Sequence, residues 1–132
     1  MPARLIDNLE EMTLINAITE KIIGCAFKVS NTLGYGFLEK VYENALAHEI
    51  RKTGLEVTQQ AELDVTYDGV PVGHFYADML VANKVLIEVK VARELDEAHV
   101  GQCLNYLRAT GLQLCLLINF GKKRAQIERV VQ

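Results

Sequence analysis

Three residues carry the types and spacing of a metal-assisted hydrolytic centre: Asp78, then Glu88 and Lys90 in the run Glu88-Val89-Lys90. Carboxylates are hard oxygen donors. Two that meet on one sheet face can hold a divalent cation such as magnesium, which keeps several of its waters. The Val89 carbonyl can add a third oxygen. Side chains alternate along a strand, so Lys90 shares a face with Glu88. An ammonium there can hold or help deprotonate a water and stabilise charge growing on a phosphodiester under attack. The same residues would also make a plain salt bridge on a strand, and short motifs match often by chance.

Two further groups could serve such a centre. Gln102 and Tyr106 stand four apart, with His99 three residues earlier, so all three lie near one helical face. Gln102 could orient a water or phosphate, Tyr106 could bond a phosphate oxygen, and His99 could touch nucleic acid. A core tyrosine beside a half-exposed glutamine fits the same spacing. Glu39 lies on the flank of an apolar stripe, where a carboxylate is costly unless a metal or Lys90 binds it. A boundary glutamate reaching solvent fits equally, and Glu49 also points toward the stripe, so helical angle does not single out Glu39.

The elements that must position these residues follow from periodicity. Leu14, Ile15, Ile18, Ile22, Ala26, Val29 and Leu33 recur at three- and four-residue steps, which predicts a helix from about Thr13 to Leu33. Residues 1–12 are expected to form a flexible N-terminus, and 13–132 a single domain. Gly34-Tyr35-Gly36 breaks the first helix. A second runs from about Phe37 to Lys52, with Leu38, Val41, Tyr42, Ala45 and Leu46 as its buried stripe; Tyr42 is also a candidate nucleic-acid contact. Asp68-Gly69 is a hairpin turn between a strand ending at Tyr67 and one from Val70 to Val81. A second turn at Ala82-Asn83-Lys84 leads into Val85 to Val91, apolar on both faces except for Glu88 and Lys90, as in a covered central strand. A third helix spans about Asp96 to Thr110. A second central strand spans Leu112 to Phe120, and Gln126 to Val131 forms an edge strand.

The turn length is a sharp condition on the centre. A three-residue loop sets Asp78 opposite Glu88 and on its face. A two-residue loop would oppose Asp78 to Val89 and put it on the wrong face.

Composition sets outer bounds. With 132 residues, half of them hydrophobic and 23% charged, the chain suits one globular domain. No apolar run reaches the roughly 20 residues of a membrane span, and the N-terminus lacks the features of a signal peptide, so a cytoplasmic protein is expected. Cys25, Cys103 and Cys115 form no paired spacing for zinc or a disulfide framework. A net charge of −3 argues against a broad basic surface. Lys122, Lys123 and Arg124 could touch a phosphate backbone, although a short charge run also reads as a solvated turn.

Gly36-Phe37-Leu38-Glu39-Lys40-Val41-Tyr42 matches the G-x-x-E-x-x-Y signature, and the chain resembles the GxxExxY family from about Glu20 to Val131. Asp78, Glu88-Val89-Lys90, Gln102-x-x-x-Tyr106 and Leu117-Ile118-Asn119-Phe120 follow at that family's spacing. Ser30 and Tyr35 replace a histidine and a proline common there. The family in turn resembles the PD-(D/E)XK nuclease superfamily, nearest its RecB-type branch. The resemblance implies an α/β, restriction-endonuclease-like mixed sheet flanked by helices in the order αβββαβ. It also implies magnesium-dependent hydrolysis of DNA, with manganese as a substitute. Asp78, Glu88 and Lys90 would be the core triad, Glu39 the helix-borne acid, and Gln102 and Tyr106 auxiliaries. The competing reading is a catalytically inactive module that binds nucleic acid or a protein. A branched substrate would call for a homodimer.

Overall fold

The computed structural model describes residues 3–132, with side chains from residue 8 onward. Helix α1 spans Ala3–Leu33 and α2 spans Glu39–Lys52. Strands β1 (Val57–Tyr67), β2 (Val70–Val81) and β3 (Val85–Lys90) follow, then α3 (Glu97–Thr110), β4 (Leu114–Asn119) and β5 (Gln126–Val131). The first helix therefore starts ten residues before Thr13. Of the stretch expected to be flexible, residues 1–2 lie outside the described residues and the rest belong to α1. Glu11 on this extension accepts from Lys84 Nζ at 2.9 Å, which ties it to the β2–β3 turn.

One sheet runs in the order β1-β2-β3-β4-β5. Only β3 and β4 are parallel. A parallel pair needs a crossover, and α3 supplies it. Helices α1 and α2 cover one face, packing on Met79, Val81, Val85, Ile87, Val89, Leu114, Leu116 and Ile118. Helix α3 covers the other, over Leu86, Cys115, Leu117 and Val130. Because β3 and β4 are buried on both faces, their sequences are apolar runs rather than alternations. Among the described residues no helix is long and apolar enough to cross a membrane.

The stripe of α1 is the one expected from the sequence except at Leu14, while that of α2 is rotated. Leu14 is exposed and the buried face of α1 starts at Ile15. Helix α2 turns Tyr42, Leu46 and Ile50 inward at four-residue steps, with Glu43 and Ala47 beside them. That rotation puts Leu38, at 81% exposure, and Val41 on the surface. Tyr42 sets the phase. Its ring stacks on Phe120 at 4.8 Å, and its hydroxyl donates to the Gly34 carbonyl (2.7 Å) and accepts from the Phe37 N–H (3.3 Å). Fully buried, Tyr42 is a core residue that holds the Gly34–Phe37 turn and not a nucleic-acid contact.

Candidate active site

The β2–β3 turn has the odd length that the centre requires. Ala82 and Asn83 take positive φ, and the register runs Val81 opposite Val85, Leu80 opposite Leu86 and Met79 opposite Ile87. The next step brings Asp78 opposite Glu88. There the backbone ladder stops and the carboxylates take over its donors. Glu88 Oε1 accepts from the Asp78 N–H at 2.9 Å, and Asp78 Oδ2 accepts from the Val89 N–H at 2.8 Å. Each acid thus caps the opposite strand where β2 and β3 part, which holds the two side chains together.

The electrostatics follow from this enclosure. Glu88 is only 3% exposed. Burial, and then the charge of Asp78, push its carboxyl up to about 8, against the favourable Asp78 N–H and the attraction of Lys90. Burial also raises Asp78; the Val89 N–H opposes this and the charge of Glu43 adds to it. Close carboxylates out of water favour sharing one proton. Lys90 makes no ion pair among the described residues. Its carbonyl accepts from the Phe120 N–H at 2.9 Å, and its strand position pairs with Asn119.

Helix α3 brings Gln102 and Tyr106 to the same side. Gln102 Nε2 donates to the Tyr106 hydroxyl at 3.1 Å. Tyr106 is buried in one cluster with Ala77 and Leu86. Its phenol is raised first by burial and then by the charge of Glu88. His99 has a different task. Its Nδ1 accepts from the Asp96 N–H, and Asp96 Oδ1 accepts from the His99 N–H, a reciprocal cap on α3 with both distances 3.1 Å. Glu39 is exposed, yet its charge reaches Glu88.

Two residues that sequence reasoning missed, Glu43 and Gln60, stand beside Asp78. Glu43, buried on α2, accepts from Lys40 Nζ (3.1 Å), Gln59 Nε2 (2.8 Å) and Gln60 Nε2 (2.9 Å). Gln60 Nε2 lies 3.5 Å from Asp78 Oδ1. Gln60 adopts φ +51°, which is uncommon for a residue with a β-carbon. This kink faces Asp78, and across it the buried side changes: Met79 packs under α1 and α2, while Ala77 packs under α3. The signal for Glu43 was its place four residues after Glu39, since like charges at that spacing destabilise a helix unless something compensates.

Asn119 and Gly121 pin the chain just after Lys90. Asn119 is fully buried; its Oδ1 accepts from the Ala92 and Gly121 N–H groups, and its Nδ2 donates to the Ala92 carbonyl. The basic turn is only partly free. Lys122 pairs with Glu94 at 3.0 Å and Arg124 covers the Phe27 ring at 4.5 Å, which leaves Lys123 exposed without an ion pair among the described residues.

The donor set at Asp78 and Glu88 fits a hard divalent cation. Both side chains offer carboxylate oxygens, hydrogen bonds to the opposite strand hold them side by side, and burial raises the affinity of both for a positive partner. No three His, Cys, Asp or Glu side chains among the described residues form a tighter cage.

A family model described as the PD-(D/E)XK nuclease superfamily matches residues 16–130. The chain belongs to the PD-(D/E)XK nuclease superfamily. Its fold is similar to that of an alkaline exonuclease from Laribacter hongkongensis, with 21% identity and a TM-score of 0.52, over 70% of this chain and 55% of that one. It is also similar to the structure of SSO0001, with 14% identity and a TM-score of 0.54, over 70% and 49%. The chain therefore spans about half the length of each. No curated protein matches it. These likenesses show the fold, and the mixed sheet flanked by helices agrees with the restriction-endonuclease-like expectation.

Proposed function

We propose that this chain is a nuclease of the GxxExxY type that hydrolyses phosphodiester bonds of DNA with magnesium, or manganese in its place. The observation that carries the reading is the crossed pair of Asp78 and Glu88 beside Lys90, a lysine without an ion partner among the described residues. Asp78, Glu88 and the Val89 carbonyl would hold the cation, with the exposed Glu39 within electrostatic reach. When bound, the cation supplies charge neutralisation and lowers the pKa of water. Lys90 offers its ammonium hydrogens to the attacking water and to the phosphate oxygens. Gln102 orients the water or a phosphate oxygen, and the Tyr106 hydroxyl is held in place by Gln102. Of the basic turn, Lys123 is the residue open to a phosphate backbone.

A second reading, a module that binds nucleic acid or a protein partner without cutting, draws on the net charge of −3 and on the exposed Tyr35, Phe37, Leu38 and Val41. The deciding experiment is a labelled panel of single strands, duplexes, flaps and four-way junctions. Each is incubated with magnesium, manganese or chelator, with the native chain and with Lys90→Ala. Metal-dependent cutting that Lys90→Ala loses supports the nuclease. Binding without cutting by the native chain supports the module.

A further inference from the structure

A cavity of about 700 Å³ opens beside Tyr106, between the far half of the β1–β2 hairpin and α3. Val65 and Phe75 form its hairpin wall; Gly101, Gln102, Asn105 and Tyr106 form its helix wall. The hairpin reaches past the end of β3, so no third strand closes this space. Phe75 remains 46% exposed, although its ring centroid lies 6.2 Å from that of Tyr106 at a 45° tilt. Gly101 lies inside α3, where glycine weakens a helix relative to alanine. A β-carbon there would meet nothing within 4 Å, so packing does not demand glycine.

We propose that this cavity is a nucleobase subsite, in which a base next to the phosphate held at Asp78 and Glu88 stacks on Phe75. The proposal rests on the nuclease reading and deepens it. The cavity adjoins the proposed site through Gln102 and Tyr106, which line it, and Tyr106 shares a buried cluster with Ala77, the neighbour of Asp78, and with Leu86, two residues before Glu88 on its face. A phosphodiester carries a nucleoside on each side, so a phosphate held at the carboxylates has a base on either side of it to offer this opening. The volume lies within the range of small-ligand sites, and the lining suits a flat ring with a polar edge. Phe75 supplies the stacking face, Gly101 leaves the helix flank open, and the side-chain amides of Gln102 and Asn105 meet base edges. Stacking accepts any base, so the subsite favours unpaired nucleotides without reading sequence.

The test uses single-stranded oligonucleotides with 2-aminopurine placed at successive positions, bound to the Lys90→Ala chain in magnesium. Stacking quenches the fluorophore. Quenching is expected at one position, next to the bond that the native chain cuts. Phe75→Ala and Gly101→Leu, each added to Lys90→Ala, should remove it and weaken binding by on the order of tenfold. Far-UV circular dichroism confirms that both variants fold; Phe75 is half exposed and leucine favours helix. Quenching unchanged in both variants, quenching at no position, or no binding of the strand would overturn the subsite. The two readings fail separately. If the native chain cuts while Phe75 has no effect on quenching, the subsite falls and the nuclease stands. If Phe75-dependent quenching occurs but nothing is cut, the subsite stands and the nuclease falls.

Discussion

Replacing Glu88 by glutamine should stabilise the protein when metal is absent, and only above acidic pH. Glutamine keeps an oxygen to accept from the Asp78 N–H but carries no titrating carboxyl. In the fold Glu88 sits at about 8, raised from an ordinary 4.5. At neutral pH the native state holds the proton that the unfolded chain has released, so the native state binds more protons and stability falls as pH rises. At about 1.4 kcal/mol per pKa unit, the loss is absent below about pH 4, reaches about 3 kcal/mol at pH 7 and levels at roughly 5 kcal/mol above pH 8. Glu88→Gln lacks this loss, while the other titrating groups largely cancel between the two proteins. Urea unfolding followed by circular dichroism, in chelator at several pH values from acid to mildly alkaline, measures the difference directly. The stability gap should open steadily as pH rises. Parallel pH profiles for the two proteins would refute the reasoning, because they would mean that Glu88 ionises in the fold as freely as in the unfolded chain. Magnesium should then narrow the gap by stabilising the native protein more than the variant.

Two structural predictions concern the supports of the site. Gly121→Ala should destabilise by about 2 kcal/mol or more, as overpacking does, since an added β-carbon would stand 2.4 Å from the Ala92 carbonyl oxygen; thermal unfolding checks this, and an unchanged midpoint would show that the segment after Lys90 yields easily. Tyr42→Phe should cost about 1–2 kcal/mol by removing the hydroxyl that bonds the Gly34 carbonyl and the Phe37 N–H. Its ring stack on Phe120 remains, so the loss should appear in denaturant unfolding without collapse of the fold.

What the sequence made legible was governed by local rules. The parity of the Ala82-Asn83-Lys84 turn decides whether Asp78 can meet Glu88, and the odd length that the meeting requires is the one observed. The four-residue spacing of Gln102 and Tyr106 likewise sets them side by side, and their hydrogen bond follows. The buried runs of β3 and β4 announced a sheet covered on both faces. Where tertiary partners decide, the sequence was silent. Leu38 and Val41 match an apolar stripe as well as Leu46 does; only the seat of Tyr42 between Gly34 and Phe37 and against Phe120 fixes the rotation that exposes them and buries Glu43. The left-handed turn at Gln60 has no glycine or asparagine to signal it, and its hydrogen-bond partners Glu43 and Asp78 are remote in sequence. The basic turn looked free because Glu94 and Phe27, which occupy two of its cations, lie far away in the chain.

The central claim is that Asp78 and Glu88 hold a divalent cation for a cleavage step served by Lys90. Its most direct test pairs magnesium titration calorimetry with single-turnover cleavage of the preferred substrate, for the native chain, Asp78→Ala and Lys90→Ala. The expected result is that Lys90→Ala binds magnesium like the native chain but cuts roughly a hundredfold more slowly or worse, while Asp78→Ala loses both binding and cutting. Cleavage by Asp78→Ala at the native rate, with magnesium still required, would contradict the account.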